Sequence, residues 1–308
     1  MSDNYQGSGM SIGRLQTVVK STRSSFLILT PACIFLGVSI GISRDASIDW
    51  TLFLFVASGA LLAHIAVNTW NEYEDFKSGL DLITCRTAFS GGSGALPGNP
   101  DMAQSVQITA ILSVLMIVGL GGVLMWKTGL AIFPIGIVGI LLIVSYTRWI
   151  NRNPYLCLVA PGLGFGLLMV LGTERVLTGS FSSQGLLAAT VPFFLVNNLL
   201  LLNQYPDIDA DKTVGRNHLP IAFGVNVGNW VYLWFAIIAM MVILVASVLD
   251  YFPLLSLISL MAIVPVLFVF SGMVKLGKNI GSEPQYLAVN VAVTIFTPVI
   301  LGISFLLD

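Results

Sequence analysis

Hydrophobic residues along this chain gather in nine long runs, which shorter polar stretches separate. The runs lack the two-residue alternation of apolar and polar positions that a half-buried β-strand shows. A helix that crosses a hydrocarbon core about 30 Å thick needs on the order of 20 apolar residues. The pattern therefore predicts an all-α integral membrane bundle of nine transmembrane helices. The predicted spans cover residues 26–42, 50–70, 103–125, 130–146, 155–172, 186–203, 230–248, 253–274 and 286–307.

Composition agrees with a membrane environment. Hydrophobic residues make up 56% of the 308 residues and charged residues only 9%, whereas soluble domains carry roughly 25% charged residues. The three scattered cysteines form no CxxC or Cys/His spacing, so neither disulfides nor a structural zinc site is expected. Residues 1–24 are polar and lack the apolar core of a signal peptide. They are predicted to form a flexible cytoplasmic leader, and residues 25–308 a single membrane domain.

The positive charges orient the predicted bundle. With the N-terminus in the cytoplasm, eleven Lys and Arg side chains fall on that side and three on the other, as the positive-inside tendency requires. This distribution predicts a multi-pass protein of the cell (inner) membrane. The cytoplasmic eleven are Arg14, Lys20, Arg23, Lys77, Arg86, Arg148, Arg152, Lys212, Arg216, Lys275 and Lys278, and the outer three are Arg44, Lys127 and Arg175.

Two long cytoplasmic connections carry the candidate chemistry. They open at Asn71 and Asn203, at the ends of the second and sixth predicted spans, and share the pattern Asn-x-Tyr-x-Asp. Residues four apart share one helix face, which pairs Asn71 with Asp75 and Asp207 with Asp211. The repeated signature indicates two halves of a bundle that face each other across one site.

Eight of the fifteen acidic residues lie in these two connections, and such a concentration calls for a neutralising cation. Oxygen-only ligands suit Mg²⁺, which is commonly bound by one or two carboxylates together with substrate phosphates. Basic residues beside the acids are expected to hold a diphosphate. The acids are Glu72, Glu74, Asp75, Asp81, Asp101, Asp207, Asp209 and Asp211, and the bases Lys77, Arg86, Lys212 and Arg216.

These segments resemble the two motifs of the UbiA superfamily of intramembrane prenyltransferases. Asn71 to Asp75 is similar to that family's Asn-Asp-x-x-Asp, and Asp207 with Asp211 to its Asp-x-x-x-Asp. The sequence around Asp207, together with Gly162-Leu-Gly, resembles the 1,4-dihydroxy-2-naphthoate prenyltransferases most. The resemblance implies Mg²⁺-dependent transfer of a prenyl group from its diphosphate to an aromatic, quinone-precursor-like acceptor on the cytoplasmic face.

The chain departs from that family pattern in three places. Glu72 stands where the family usually has Asp, and we expect it to serve because the charge is kept. Gly79 occupies the place of an Asp in some members, so Asp81 is the expected replacement ligand. Some members show Tyr-x-x-x-Lys after the fourth span, whereas this chain has Ile150 in place of that Lys after Tyr146. The basic partner is therefore expected to be Arg148 or Arg152.

Several other residues have two interpretations. Tyr146 is expected either to contact the diphosphate or to belong to an interfacial aromatic belt. Arg23 is expected either to bind an acceptor carboxylate or to anchor the chain at the membrane surface. Asn198 either lines the cavity or bonds between helices. For His64 a hydrogen-bonded packing role is favoured over that of a general base, and the glycines from Gly162 onwards are expected to permit close packing or a helix break.

Other function classes remain as alternatives. A transporter with a cytoplasmic-face cation site would also place acids in a bundle, although basic residues beside the acids fit an anionic substrate better. Prenyl transfer to a glycerol phosphate is a second alternative. The Asp-Gly-x-x-Ala-Arg run of the alcohol phosphatidyltransferases is absent from the sequence. The expected partners are a prenyl diphosphate, a small acceptor and the lipid bilayer, with no nucleic acid.

Overall fold

The computed structural model describes residues 13–308, and over that range the chain is helical and contains no β-strand. The predicted all-α class is therefore confirmed. Residues 1–12 of the expected leader lie outside the described residues, and within residues 13–24 the structure has a helix, α1. The α-helices are α1 Arg14–Ser21, α2 Leu29–Ser43, α3 Trp50–Lys77, α4 Leu80–Ile83, α5 Ala95–Gly98, α6 Ala103–Thr128, α7 Phe133–Ser145, α8 Pro154–Gly162, α9 Val170–Thr178, α10 Ser183–Asn203, α11 Ile208–Thr213, α12 Leu219–Phe223, α13 Val225–Val248, α14 Ile263–Leu276 and α15 Pro284–Leu306.

Within residues 13–308, seven helical segments are long and apolar enough to cross a membrane. Two shorter apolar helical segments, Leu29–Ser43 and Leu130–Ser145, account for the other predicted spans. Each predicted span thus coincides with an apolar helical segment, and within the described residues seven of these segments are long enough to cross a membrane by length and composition. The seven are Trp50–Lys77, Pro100–Thr128, Pro154–Thr178, Ser183–Asn203, Val225–Val248, Leu254–Ser282 and Pro284–Leu306.

Local chemistry sets several helix boundaries. The Asp49 carboxylate accepts hydrogen bonds from the first backbone amides of α3, and Asn153 does the same for α8. The Ser182 hydroxyl caps α10. These side chains satisfy amides that have no partner inside the helix. At the other end of α9, Gly179 adopts φ 76°, the left-handed conformation that commonly terminates a helix.

Helix α10 lies at the centre of the bundle. It packs against α2, α8, α9, α13 and α15, and its side chains Leu195 and Leu202 are buried. Tyr232 of α13 is also fully buried, and its hydroxyl donates to Asn290 of α15 at 3.0 Å. Helices α3 and α6 pack against each other, and few of their apolar residues are buried inside the protein. The bundle therefore has a well-packed centre and a thinner wall made by α3 and α6.

The helical segment from α8 to α9 is interrupted next to α10. Pro161 lies inside α8, and residues Leu163–Met169 form a π-helix. A Cβ atom at Gly162 would lie 2.1 Å from the Phe193 carbonyl oxygen, and one at Gly166 would lie 2.3 Å from the Phe193 nitrogen. Both glycines therefore allow a backbone contact that a side chain would prevent, and the expected close packing and helix break are both found.

Candidate active site

The two acidic motifs meet in one polar cleft of about 100 Å³, called here the acid cleft. Asn71 and Asp75 reach it from the last turns of α3, and Asp81 from α4. Asp207 precedes α11, and its backbone carbonyl accepts the amide of Asp211 at 2.8 Å. That single helical turn directs both carboxylates into the cleft. The expected juxtaposition of the two motifs is therefore found in the structure.

Arg216 links the two motifs. Its guanidinium forms ion pairs with Asp75 and with Asp211, the latter at 3.0 Å. His218 Nε2 lies 3.1 Å from the other oxygen of Asp211. Burial alone would lower the pKa of Arg216, but the carboxylates of Asp75 and Asp211 outweigh it and raise that pKa above its ordinary value. Arg216 is therefore a permanent positive charge between two carboxylates of different motifs.

Asp81 and Asp207 have weaker partners. Burial, and then the neighbouring charges of Glu72 and Asp75, raises the pKa of Asp81 to about 7. Burial and the charge of Asp211 raise the pKa of Asp207 to about 7 as well. One buried oxygen of each carboxylate accepts no hydrogen bond within the described residues. A cation brought to these oxygens would satisfy both groups and favour their charged forms.

The donor set fits Mg²⁺ that arrives with a phosphate-bearing substrate. The Oδ1 atom of Asn203 is a further buried oxygen of the cleft that accepts no hydrogen bond within residues 13–308. In the same range, no three His, Cys, Asp or Glu side chains stand close enough together to hold a metal unaided. Mg²⁺ usually keeps several waters and takes only one or two carboxylates, with phosphate oxygens completing its coordination. Oxygen ligands without a closed cage are the arrangement expected for it.

A second, apolar cavity of about 500 Å³ adjoins the acid cleft. Apolar side chains of α3, α6, α7 and the π-helix form most of its wall. Val118 of α6 and Phe133 and Ile137 of α7 line it although about half of each side chain is exposed on the outer surface of the bundle. The wall between α6 and α7 is therefore thin. The residues that line both cavities are Arg23, Asn71, Phe89, Tyr146, Leu200 and Asn203.

Arg23 is fixed where the two cavities meet. Its Nη2 atom donates to Asn71 Oδ1 at 3.2 Å and lies 3.6 Å from a Glu72 carboxylate oxygen. The buried Nε atom has no partner within the described residues. The backbone φ of Arg23 is 51°, an uncommon conformation for a residue other than glycine. This Arg therefore offers an unused donor to whatever occupies the junction.

Comparison with known proteins decides the family. A model of the UbiA prenyltransferase family matches residues 30–285. The chain belongs to this family. It is 31% identical over 181 residues to the 1,4-dihydroxy-2-naphthoate octaprenyltransferase of Bacillus subtilis (strain 168). That alignment covers 58% of this chain and 56% of the relative, so the chain matches about half the length of this curated protein. The resemblance inferred from the two motifs is confirmed.

Solved structures of UbiA proteins have the same fold. The TM-score is 0.69 to a UbiA homologue of Aeropyrum pernix K1, at 17% identity over 92% of this chain and 97% of that one. It is 0.68 to digeranylgeranylglyceryl phosphate synthase, at 14% identity over 96% and 99%. It is 0.66 to an Archaeoglobus fulgidus homologue bound to DMAPP and Mg²⁺, at 14% identity over 94% and 99%. The three TM-scores show that the fold is shared.

Four residues predicted for the site of this UbiA-family protein do not line the acid cleft. Lys77 is exposed and lies over the ring of Tyr73, since two residues beyond Asp75 it is turned about 200° around the helix. Arg148 is exposed and pairs with Glu74. Lys212 is exposed. Arg86 donates to the Asp81 carbonyl at 2.5 Å from outside the cleft.

Two further predicted residues have packing contacts. Asn198 is buried in α10 and donates to the Tyr232 carbonyl at 2.8 Å, so it bonds between helices and does not line the apolar cavity. His64 lines that cavity, where its Nδ1 atom lies 2.9 Å from the Thr30 hydroxyl. The hydrogen-bonded role favoured for His64 agrees with this contact.

Sequence reasoning missed three parts of the cleft in this UbiA-family protein. Asn203 appeared only as the first position of the repeated motif, and its symmetry with Asn71 was the available signal. His218 carried no motif signal, because its role depends on a turn that returns it to Asp211. The glycine-rich segment (residues 90–94) has no charged side chain that would signal a site, yet Ser90, Gly91 and Gly92 line the cleft.

Proposed function

We propose that this protein transfers a prenyl group from a prenyl diphosphate to an aromatic, quinone-precursor-like acceptor in a Mg²⁺-dependent reaction. The observation that carries the proposal is the junction of an acid cleft with an apolar cavity. A prenyl diphosphate has one highly charged end and one apolar tail, and the junction would hold the bond between them. The B. subtilis relative is named as a naphthoate octaprenyltransferase, which supports the same assignment.

The diphosphate end belongs in the acid cleft. The proposed Mg²⁺ ligands are the side-chain oxygens of five residues that line the cleft: Asn71, Asp75, Asp81, Asp207 and Asp211. Bound there, Mg²⁺ would neutralise the negative charge that grows on the departing diphosphate. Permanent positive charge within the cleft comes from two arginine side chains, Arg23 and Arg216, which are suited to bidentate contact with phosphate oxygens.

The prenyl tail belongs in the apolar cavity. Isoprenoid units bury well against aliphatic walls, and the thin wall between α6 and α7 leaves room for a long tail to reach lipid. In the reaction, the bond between the allylic carbon and the diphosphate oxygen breaks and its electron pair leaves with the diphosphate. The resulting allylic cation lies near Phe89 and Tyr146, whose ring faces attract positive charge. A ring carbon of the acceptor then forms the new bond, and the proton of that carbon passes to the departing diphosphate or to water, which restores the aromatic ring.

The acceptor is proposed to carry an anionic group that Arg23 binds. The Arg23 Nε donor is unpaired within the described residues and lies at the junction, where the acceptor ring must meet the allylic carbon. A carboxylate on the acceptor would take this donor in a charge-assisted hydrogen bond. Anchoring of the acceptor at Arg23 would therefore set which ring carbon faces the cation.

The topology is part of the proposal. We infer nine crossings, with the shorter helices Leu29–Ser43 and Leu130–Ser145 included, an N-terminus in the cytoplasm and one membrane domain over residues 25–308. The excess of Lys and Arg on the acid-cleft side supports this orientation. The cleft would then face the cytoplasm from the cell membrane, where soluble diphosphates are available.

The test is a product assay by mass spectrometry on purified protein. Several prenyl diphosphates are offered together with a dihydroxynaphthoate, a hydroxybenzoate or a glycerol phosphate. We expect a prenylated naphthoate. Asp75→Asn should reduce turnover at least 100-fold. The matched variant Asp101→Asn should change turnover little, because Asp101 is exposed outside the cleft. Prenylation of glycerol phosphate alone would reject the aromatic acceptor, and no prenylated product with any acceptor would reject the reaction.

A further inference from the structure

The glycine-rich segment (residues 90–94) lies against the acids of both motifs. The backbone amide of Gly91 donates to Asp207 Oδ2 at 3.1 Å. A Cβ atom at Gly92 would lie 2.6 Å from Asp81 Oδ1, and the φ of Gly92 is 74°. Glycine is therefore required there both for space and for backbone conformation. The segment forms one wall of the acid cleft and touches the carboxylates with the raised pKa.

Glu72 holds this segment in place. Its side chain is fully buried, and the Ser93 backbone amide donates to its Oε2 atom at 3.1 Å. The Ser93 hydroxyl donates to the other carboxylate oxygen. Glu72 follows Asn71 by one residue, which turns it about 100° around α3, and it is not among the residues that line the acid cleft. Its two oxygens are engaged with the glycine-rich segment and with Arg23.

We propose that Glu72 is a positioning residue that fastens the glycine-rich segment over the acid cleft, and that it does not bind the metal. This rests on the proposed function only in that the cleft holds a cation with a diphosphate. The Asn-Asp-x-x-Asp motif that Asn71 to Asp75 resembles has Asp at the position of Glu72. The extra methylene is what lets the carboxylate reach both donors of Ser93. Asp81, which lines the cleft, stays the proposed ligand in place of the family Asp at the position of Gly79.

Two conservative variants separate positioning from ligation. Glu72→Gln keeps the length of the side chain but removes the charge. Its amide oxygen can still accept from the Ser93 backbone amide, and its NH2 group can donate to the Ser93 hydroxyl oxygen. Glu72→Asp keeps the charge but withdraws the carboxylate from Ser93. A metal ligand would tolerate Asp and fail with Gln, whereas a positioning residue tolerates Gln and fails with Asp. Ser93→Ala is a third variant, which loosens the same contact from the other side.

A buried cysteine that lines the same cleft as the glycine-rich segment reports whether the cleft opens when the segment is released. Cys157 lines the acid cleft and is 2% exposed. Cys85 is exposed and is replaced by Ser in all variants, and the buried Cys33 is distinguished by peptide mass. Maleimide labelling of Cys157 is then followed in detergent without substrate. Because a hydrogen bond to a charged group is lost, labelling should be about tenfold faster in Glu72→Asp and Ser93→Ala, and unchanged in Glu72→Gln.

The matched control is Glu74→Gln on the same helix, since Glu74 pairs with the exposed Arg148 and makes no contact with Ser93. The half-saturating Mg²⁺ concentration for prenyl transfer is measured beside labelling. In Glu72→Gln it should stay within about twofold of the starting protein, in line with conserved hydrogen bonding.

Two results would overturn the proposal. One is a Mg²⁺ requirement that rises many-fold in Glu72→Gln and not in Glu72→Asp. The other is labelling of Cys157 at one rate in Glu72→Asp, Ser93→Ala and the starting protein. If the starting protein makes no prenylated product, the proposed function fails, and the labelling rates still decide the role of Glu72.

Discussion

Replacing Asp207 by Asn should stabilise the protein and abolish its activity. The substitution keeps the shape of the side chain and an oxygen that can accept the amide of Gly91. It removes a buried carboxyl group whose pKa is raised from 3.8 to about 7. Activity is lost because a proposed cation ligand becomes neutral, so the two effects of one substitution have opposite directions.

The size of the gain follows from the pKa. A raised carboxyl pKa means that the folded state binds more protons than the unfolded state between pH 3.8 and about 7. The ionised group therefore costs stability, in full above pH 7 and not at all below pH 3.8. About three pH units at 1.36 kcal/mol each set the cost near 4 kcal/mol. Burial of the amide takes back part of it, so we expect Asp207→Asn to gain about 2 to 4 kcal/mol at pH 8 without divalent cations.

The assay is unfolding in detergent at pH 8 and pH 5 with a chelator present. More than half of the gain should disappear at pH 5, where the wild-type carboxyl is mostly protonated. The matched control is Asp209→Asn two residues along the chain, because Asp209 is exposed and paired with Lys278, which lowers its pKa. That variant should not be stabilised. The reasoning is refuted if Asp207→Asn is no more stable than wild type at pH 8, or if its gain is the same at pH 5.

Three other outcomes are expected. Chelator should abolish prenyl transfer and added Mg²⁺ restore it, so full turnover without divalent cation would contradict the cleft assignment. A cysteine at Asn217 should be labelled from the cytoplasmic side of sealed vesicles and one at Thr128 from the opposite side; labelling of both from one side would reject the nine-crossing topology. Gly162→Ala should destabilise the protein by about 1 to 3 kcal/mol, because the added methyl group would meet the Phe193 carbonyl. Thermal unfolding measures the effect, and an unchanged midpoint would show that α8 can move away.

The helices could be predicted because their signal is local. Apolar length alone located every long helix, since a chain in lipid must satisfy its backbone hydrogen bonds within each segment. The two short segments are different. Helices Leu29–Ser43 and Leu130–Ser145 have ends set by turns and by neighbouring helices, and a hydrophobic run carries no information about these. Their crossing of the membrane therefore remains a proposal.

The cleft could be predicted in part for a related reason. Asn71, Asp75, Asp207 and Asp211 follow from a repeated motif and from helix periodicity, and the structure brings them together. Nearness along the chain does not tell which basic residues line the cleft, because adjacent residues on a helix point in different directions. Lys212 illustrates this, since it adjoins Asp211 in sequence and is exposed outside the cleft.

The double ion pair of Arg216 has a consequence for how this site can vary. The Arg216 guanidinium forms ion pairs with Asp75 and Asp211 at the same time. A substitution at any of the three positions therefore changes the electrostatic environment of the other two. Residues in such a network show non-additive effects. A neutral residue in place of Arg216 leaves the buried Asp75 carboxylate unpaired and leaves Asp211 with His218 as its remaining side-chain partner. A second change to Asn at Asp75 should therefore restore part of the lost stability. The three residues are therefore expected to vary together, so that substitutions there are tolerated in combination and rejected singly.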